Sequence, residues 1–104
     1  MKEIKKLSEL IDEELGDAEK YAKLALMYRE DMPKVAEMFF ALSVDETRHM
    51  NNLHSAVVDL INQHKDDPDP RTEGMKVAYD LIHQHEIEKE KGVRMLQSMY
   101  REMG

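Results

Sequence analysis

Two ionisable residues interrupt an apolar pattern near the middle of the sequence. Glu46 and His49 are spaced i, i+3 in the segment SVDETRHMNNLHS, between Leu42 and Leu53 of an apolar helical stripe. If that stripe faces a core, both side chains need a partner, because burying an unpaired charge is strongly unfavourable. Glu14 is the one charged residue at the seam positions of the preceding apolar stripe. Two carboxylates and an imidazole are metal-ligand types, so the three residues form a candidate metal site.

These donor types favour particular metals. Carboxylates and imidazole without thiolate favour Fe(II), Mn(II) or Zn(II) over Cu(I), and carboxylates can bridge two ions. The chain has no cysteine, which excludes disulfides, thiolate-bound zinc and Fe–S clusters within it. The competing interpretation is a metal-free Glu/His network that fixes helix register.

The composition indicates the elements that must position these residues. The chain of 104 residues has 41% hydrophobic and 36% charged residues but only four glycines and three prolines. This profile predicts one all-α domain over 1–104, built from long helices with few turns. A net charge of −7 without a basic cluster predicts no binding to nucleic acid or to an anionic membrane.

Apolar residues recur at spacings of three and four along three segments, which predicts helices over about 2–30, 33–64 and 75–103. Asp31 is a good N-cap for the second helix, and Pro33 is tolerated in its first turn. The charged run KDDPDPRTEG over 65–74 contains two prolines and a glycine, and is predicted to be a linker.

The short connection near Asp31 predicts that the first two helices form an antiparallel hairpin. Residues whose numbers sum to about 63 should then lie at the same height, from the 1.5 Å rise per helical residue. Glu14 is therefore expected to lie level with His49 and about one helical turn from Glu46.

The third helix offers a further ligand. Glu86 lies on its partly apolar stripe and is a candidate to complete the coordination sphere, with His85 as a competitor on the adjoining stripe. The alternative for Glu86 is a salt bridge with Lys89. His54 falls beside the seam of the second helix, and His83 is expected to be solvated.

One hairpin supplies half of a two-metal site. Carboxylate-bridged bundles hold a metal pair with a Glu from two helices and a Glu-x-x-His from two others. Two hairpins related by a two-fold axis would provide the full set. The sequence thus predicts a homodimer, or a higher homo-oligomer, with a four-helix core.

The segments ELGDAEKYAKLAL and LSVDETRHMNNL resemble the first helical hairpin of the ferritin-like superfamily, which includes ferritins, bacterioferritins and rubrerythrins. Glu14, Tyr21, Glu46 and His49 match the pattern of that hairpin. The resemblance implies a di-iron site that binds Fe(II) and reacts with oxygen or peroxide. Tyr21 would lie in the second shell or act as a redox-active neighbour; the alternative is an aromatic residue that fills the core.

The resemblance covers Ile4 to about Leu60, and the rest of the sequence departs from it. No second Glu-x-x-His follows, and without cysteine the rubredoxin-type iron centre of rubrerythrins is excluded from this chain. The short encapsulated ferritins, which form their metal site between subunits, have the most similar predicted architecture.

Three functions are compatible with these residues. The favoured one is a ferroxidase or peroxidase-type oxidoreductase that handles iron in the cytoplasm. The others are a ferritin-like module that senses or buffers metal, and a metal-free helical adaptor whose third helix docks a partner. An amphipathic N-terminal segment and the absence of a long apolar run predict a soluble protein.

Overall fold

The computed structural model describes residues 2–63 and 70–102, and it confirms the all-α prediction. Three helices occur in it: α1, Lys2–Tyr28; α2, Pro33–Gln63; and α3, Pro70–Glu102. The described ranges contain no strand. Among these three helices, none combines the length and the apolarity that a membrane span requires.

The connection between α1 and α2 is as short as predicted, but its cap differs. The Met32 amide donates to the Tyr28 carbonyl at 2.8 Å, and the Ala36 amide donates to the Met32 carbonyl at 2.9 Å. Met32 therefore occupies the N-cap position, where Asp31 was predicted. Pro33 fits directly after it, because the first helical residue needs no amide hydrogen.

α3 begins earlier than its predicted start near residue 75. Pro70 is its first residue, a position that suits proline's fixed φ and missing amide hydrogen. The predicted linker therefore divides into two parts: residues 70–74 belong to α3, while 65–69 lie outside the described residues, as does the predicted end of α2 at His64.

The core lies between α1 and α2, and α3 packs mainly on α1, with less contact to α2. Its central cluster combines large side chains from all three helices: Ile11, Leu15, Met50, Val57 and Tyr79. Each fully buried aliphatic side chain contributes about 1.5–3 kcal/mol to folding.

Small residues line the hairpin nearer the turn. Ala18, Ala22, Ala25 and Ala36 have no exposed surface. Because their side chains are short, the two helix backbones approach closely there, and the hairpin is held in one register.

A buried polar chain connects the three helices. The Ser43 hydroxyl donates to the Ala18 carbonyl at 2.7 Å and accepts from the Gln97 amide at 2.9 Å. Ser43 is fully buried and Gln97 is 3% exposed. These hydrogen bonds help to fix the height of α3 on the hairpin, because a shift of α3 would separate Gln97 from Ser43 and leave buried polar groups unsatisfied.

Candidate metal centre

The structure brings together the three residues that the hairpin geometry predicted at one height. Nδ1 of His49 lies 3.5 Å from Oε2 of Glu14 and 3.8 Å from Oε2 of Glu46. Ligand atoms of all three residues fall within 4.8 Å of one another. Two ligands of one ion are at most about 4.2 Å apart, twice a bond of about 2.1 Å. The distances from His49 to Glu14 and to Glu46 are therefore both short enough for a shared ion.

The local structure explains this placement. Glu46 and His49 are one turn apart on α2, so their side chains leave the helix on the same face. The antiparallel hairpin puts Glu14 of α1 opposite that face. We call these three residues the hairpin cluster.

The hairpin cluster is closed on one side and open on the other. The side chains of Glu14 and Glu46 are 25% and 18% exposed, whereas that of His49 is 56% exposed. Oε2 of Glu14 is buried and accepts no hydrogen bond from any described residue. An oxygen atom in this state suits a cation that approaches from the His49 side.

Tyr21 has the contacts of a packing residue. Its ring stacks on Phe39, with centroids 6.1 Å apart and planes at 18°, and the Lys20 ammonium lies 5.3 Å from its centroid. It is partly buried, two turns along α1 from Glu14. These contacts favour the packing alternative over a role beside the metal.

Glu86 is not brought to the hairpin cluster. Glu86 lies on α3 and is 5% exposed. It forms a second group with His54 of α2 and His83 of α3, whose ligand atoms also lie within 4.8 Å of one another. In the single chain it therefore does not complete the first site. Lys89, which the sequence paired with Glu86 or Glu88, forms its ion pair with Asp12 of α1 instead.

The sequence interpretation missed the two histidines of this second group. His83 was expected to be solvated, yet its side chain is 33% exposed, and its ring stacks on His54 with centroids 4.7 Å apart. The spacing His83-x-x-Glu86 was the available signal, since it is the reverse of Glu-x-x-His. His85 is exposed on α3 and lines, together with Glu86, a groove between α1 and α3.

Burial shifts the ionisation of the second group. Desolvation raises the pKa of Glu86 to about 7, with a smaller contribution from the Asp12 carboxylate, while Lys89 acts in the opposite direction. Desolvation lowers the pKa of His54, as does the neighbouring His83. Both groups therefore prefer their neutral forms in the folded chain.

The hairpin cluster fits a metal pair by its donor types and by the unpartnered Glu14 oxygen. Glu14 and the Glu-x-x-His of Glu46 and His49 are half of the ligand set of carboxylate-bridged bundles. The exposed side of the cluster, at His49, leaves room for the other half of that ligand set.

Comparison with known proteins agrees with this arrangement. The family model described as Rubrerythrin matches residues 5–103, so the similarity extends through α3, beyond the hairpin that carries the sequence motifs. No curated protein and no solved structure matches the chain significantly. Because the family match spans nearly all of its length, the chain belongs to the rubrerythrin family.

Proposed function

We propose that two copies of this chain bind a pair of Fe(II) ions at their hairpin clusters and that oxygen or peroxide oxidises this iron. The rubrerythrin family indicates a di-iron carboxylate protein, and the hairpin cluster provides the ligand types. The observation that carries the proposal is the convergence of Glu14, Glu46 and His49 within 4.8 Å.

The half-open geometry supports sharing the site between two copies. Each chain offers two carboxylates and one imidazole, and a two-fold axis beside the exposed His49 would double this set. The chain is also elongated: its radius of gyration is 16.6 Å, against about 13 Å for a compact domain of this length.

Exposed apolar side chains are consistent with association. Large apolar residues on all three helices remain more than two-fifths exposed, among them Met27, Met38, Val77, Leu81 and Met95. Apolar surface of this extent favours burial against another copy.

In this proposal each residue of the hairpin cluster has its own role in holding the iron. Glu46 would bridge the two ions, while Glu14 and His49 would bind terminally, and the two carboxylates can exchange these roles. Each Fe(II) gives one electron and becomes Fe(III). A pair therefore reduces O2 to H2O2, or H2O2 to two water molecules, and two protons are taken up in either case. Mn(II) or Zn(II) would bind the same donors, but Zn(II) has no redox chemistry.

An anaerobic Fe(II) titration of metal-free protein tests the proposal. We expect Glu46→Ala to remove about one bound iron per chain, because two half-sites hold one pair. It should also abolish the near-ultraviolet absorbance that Fe(III) gives after exposure to air. Glu37→Ala is the matched control, an exposed glutamate on the same helix.

Equal iron binding by the wild type and Glu46→Ala would contradict the proposal. The alternative, a metal-free adaptor with a satisfied Glu/His network, predicts a different stability result. Without metal, Glu46→Ala should then destabilise the fold, whereas removing an uncompensated charge should stabilise it.

A further inference from the structure

We propose that His54, His83 and Glu86 form a second metal site, which holds one divalent first-row ion such as Zn(II) within each chain. The three residues come from α2 and α3, and their ligand atoms lie within 4.8 Å of one another. This site is separate from the hairpin cluster and needs no second copy of the chain. We call it the α2–α3 site.

Two buried polar atoms of the α2–α3 site have no partner. Oε1 of Glu86 and Nδ1 of His83 are both buried, and neither forms a hydrogen bond within the described part of the chain. Glu86 is only 5% exposed. Buried polar groups in native proteins are nearly always satisfied, so these two atoms are available to coordinate a metal ion.

The distances suit coordination of one ion. Nδ1 of His83 is 3.9 Å from Oε2 of Glu86, within the span of about 4.2 Å that two ligands of one ion allow. The two residues are one turn apart on α3, and His54 reaches them from α2.

Tyr79 supplies the outer support that metal-binding histidines usually have. Its hydroxyl lies 3.4 Å from Nδ1 of His54, and its ring stacks on His83 with centroids 5.5 Å apart. A hydrogen bond at Nδ1 orients the imidazole and leaves Nε2 free to bind a metal. Tyr79 is itself 7% exposed, so this contact is held by packing.

The donor set selects the kind of ion. Two imidazoles and one carboxylate are the protein ligands of open zinc and non-haem iron sites, where water takes the remaining positions. Calcium and magnesium prefer an all-oxygen environment and are disfavoured. A groove of about 500 Å³ between α1 and α3 reaches Glu86 from the α1 side.

The expected consequence of binding is to fix α3 on the hairpin. α2 and α3 make the least contact of the three helix pairs, and an ion held by His54 on one side and by His83 and Glu86 on the other would join them. Binding to the folded state alone stabilises it, by an amount that grows with the logarithm of the free ion concentration relative to Kd.

Zn(II) calorimetry and thermal unfolding test the site in protein whose hairpin cluster is removed by Glu46→Ala and His49→Ala. We expect one Zn(II) per chain and a rise in Tm of about 10 °C at hundredfold excess over Kd. Glu86→Gln and His54→Gln should each abolish both effects. Glu88→Gln is the matched control, because Glu88 is an exposed glutamate on the same helix.

The proposal is overturned if this protein binds no Zn(II), or if Glu86→Gln binds as much Zn(II) as Glu88→Gln. If the double variant does not fold, the test uses Glu86→Gln as a single substitution. It is expected to bind one Zn(II) fewer per chain than the wild type, and an unchanged Zn(II) stoichiometry overturns the proposal. Failure of the proposed iron function would appear instead in the Glu46→Ala iron titration, so the two outcomes are distinguishable.

Discussion

The carboxyl of Glu86 titrates near neutrality, because burial raises its pKa from 4.5 to about 7. Charged or ionisable groups face it from each helix: Asp12 of α1, His54 of α2, and His83 and Lys89 of α3. At this single residue the folded chain favours the neutral acid, while the unfolded chain favours the carboxylate.

The sign of the pH effect follows from this difference. Between pH 4.5 and 7 the folded state keeps a proton that the unfolded state has lost. The contribution of Glu86 to stability is therefore fully present below pH 4.5 and is lost as the pH rises through 7.

We expect Glu86→Gln to remove this pH dependence in metal-free protein. Relative to the wild type, the variant should gain about 2–3 kcal/mol of unfolding free energy on going from pH 4 to pH 8. Urea unfolding with a chelator present, at several pH values, measures the difference. Glu88→Gln, at an exposed position on the same helix, should show no such gain. If the difference in unfolding free energy between Glu86→Gln and the wild type does not change with pH, the Glu86 carboxyl is not desolvated in solution.

Among the helices, α3 depends most on a few specific contacts, because it packs mainly against one neighbour. The buried chain from Ala18 through Ser43 to Gln97 provides one of these contacts near its C-terminal end. The Asp12–Lys89 ion pair provides another, although its partial exposure limits its contribution.

We expect Ser43→Ala to destabilise the protein by about 1–3 kcal/mol, because the Gln97 amide then remains buried without its acceptor. Combining it with Gln97→Leu should restore part of the loss, since neither buried polar group remains. Urea unfolding of the two variants measures both effects. The control is Ser55→Ala, at an exposed position on the same helix. A loss no larger than the control's would mean that packing alone holds α3.

For the whole molecule, the open side of the hairpin cluster and the exposed apolar residues lead to the same expectation of self-association. A chain 58 Å long and only 17 by 16 Å across buries little surface for its size. Pairing two copies would cover apolar surface and bring two hairpin clusters together.

We therefore expect Fe(II) under anaerobic conditions to favour the dimer. Light scattering coupled to size-exclusion chromatography should show a mass of twice 12.2 kDa. Removing ligands with Glu46→Ala should weaken metal-dependent association at least about tenfold, which corresponds to roughly 1.4 kcal/mol. Glu37→Ala should behave like the wild type. A mass that stays at 12.2 kDa with bound iron would contradict a shared site.

The sequence by itself determined the hairpin and the height of its ionisable residues. Apolar periodicity defined α1 and α2, and the short turn between them permitted only an antiparallel arrangement. Helical rise then placed Glu14 opposite His49, as observed. These features are local, so the residue pattern was sufficient to predict them.

Only the tertiary structure decided where α3 lies and which residues Glu86 meets. The charged run over 65–74 has no pattern that sets an axial offset, and the weak apolar stripe of α3 does not define its rotation. Contacts between residues far apart in sequence, such as Ser43 with Gln97, contribute to both. In the folded chain Glu86 lies beside His54 and His83 and away from Glu14, because the position of α3 depends on packing between elements.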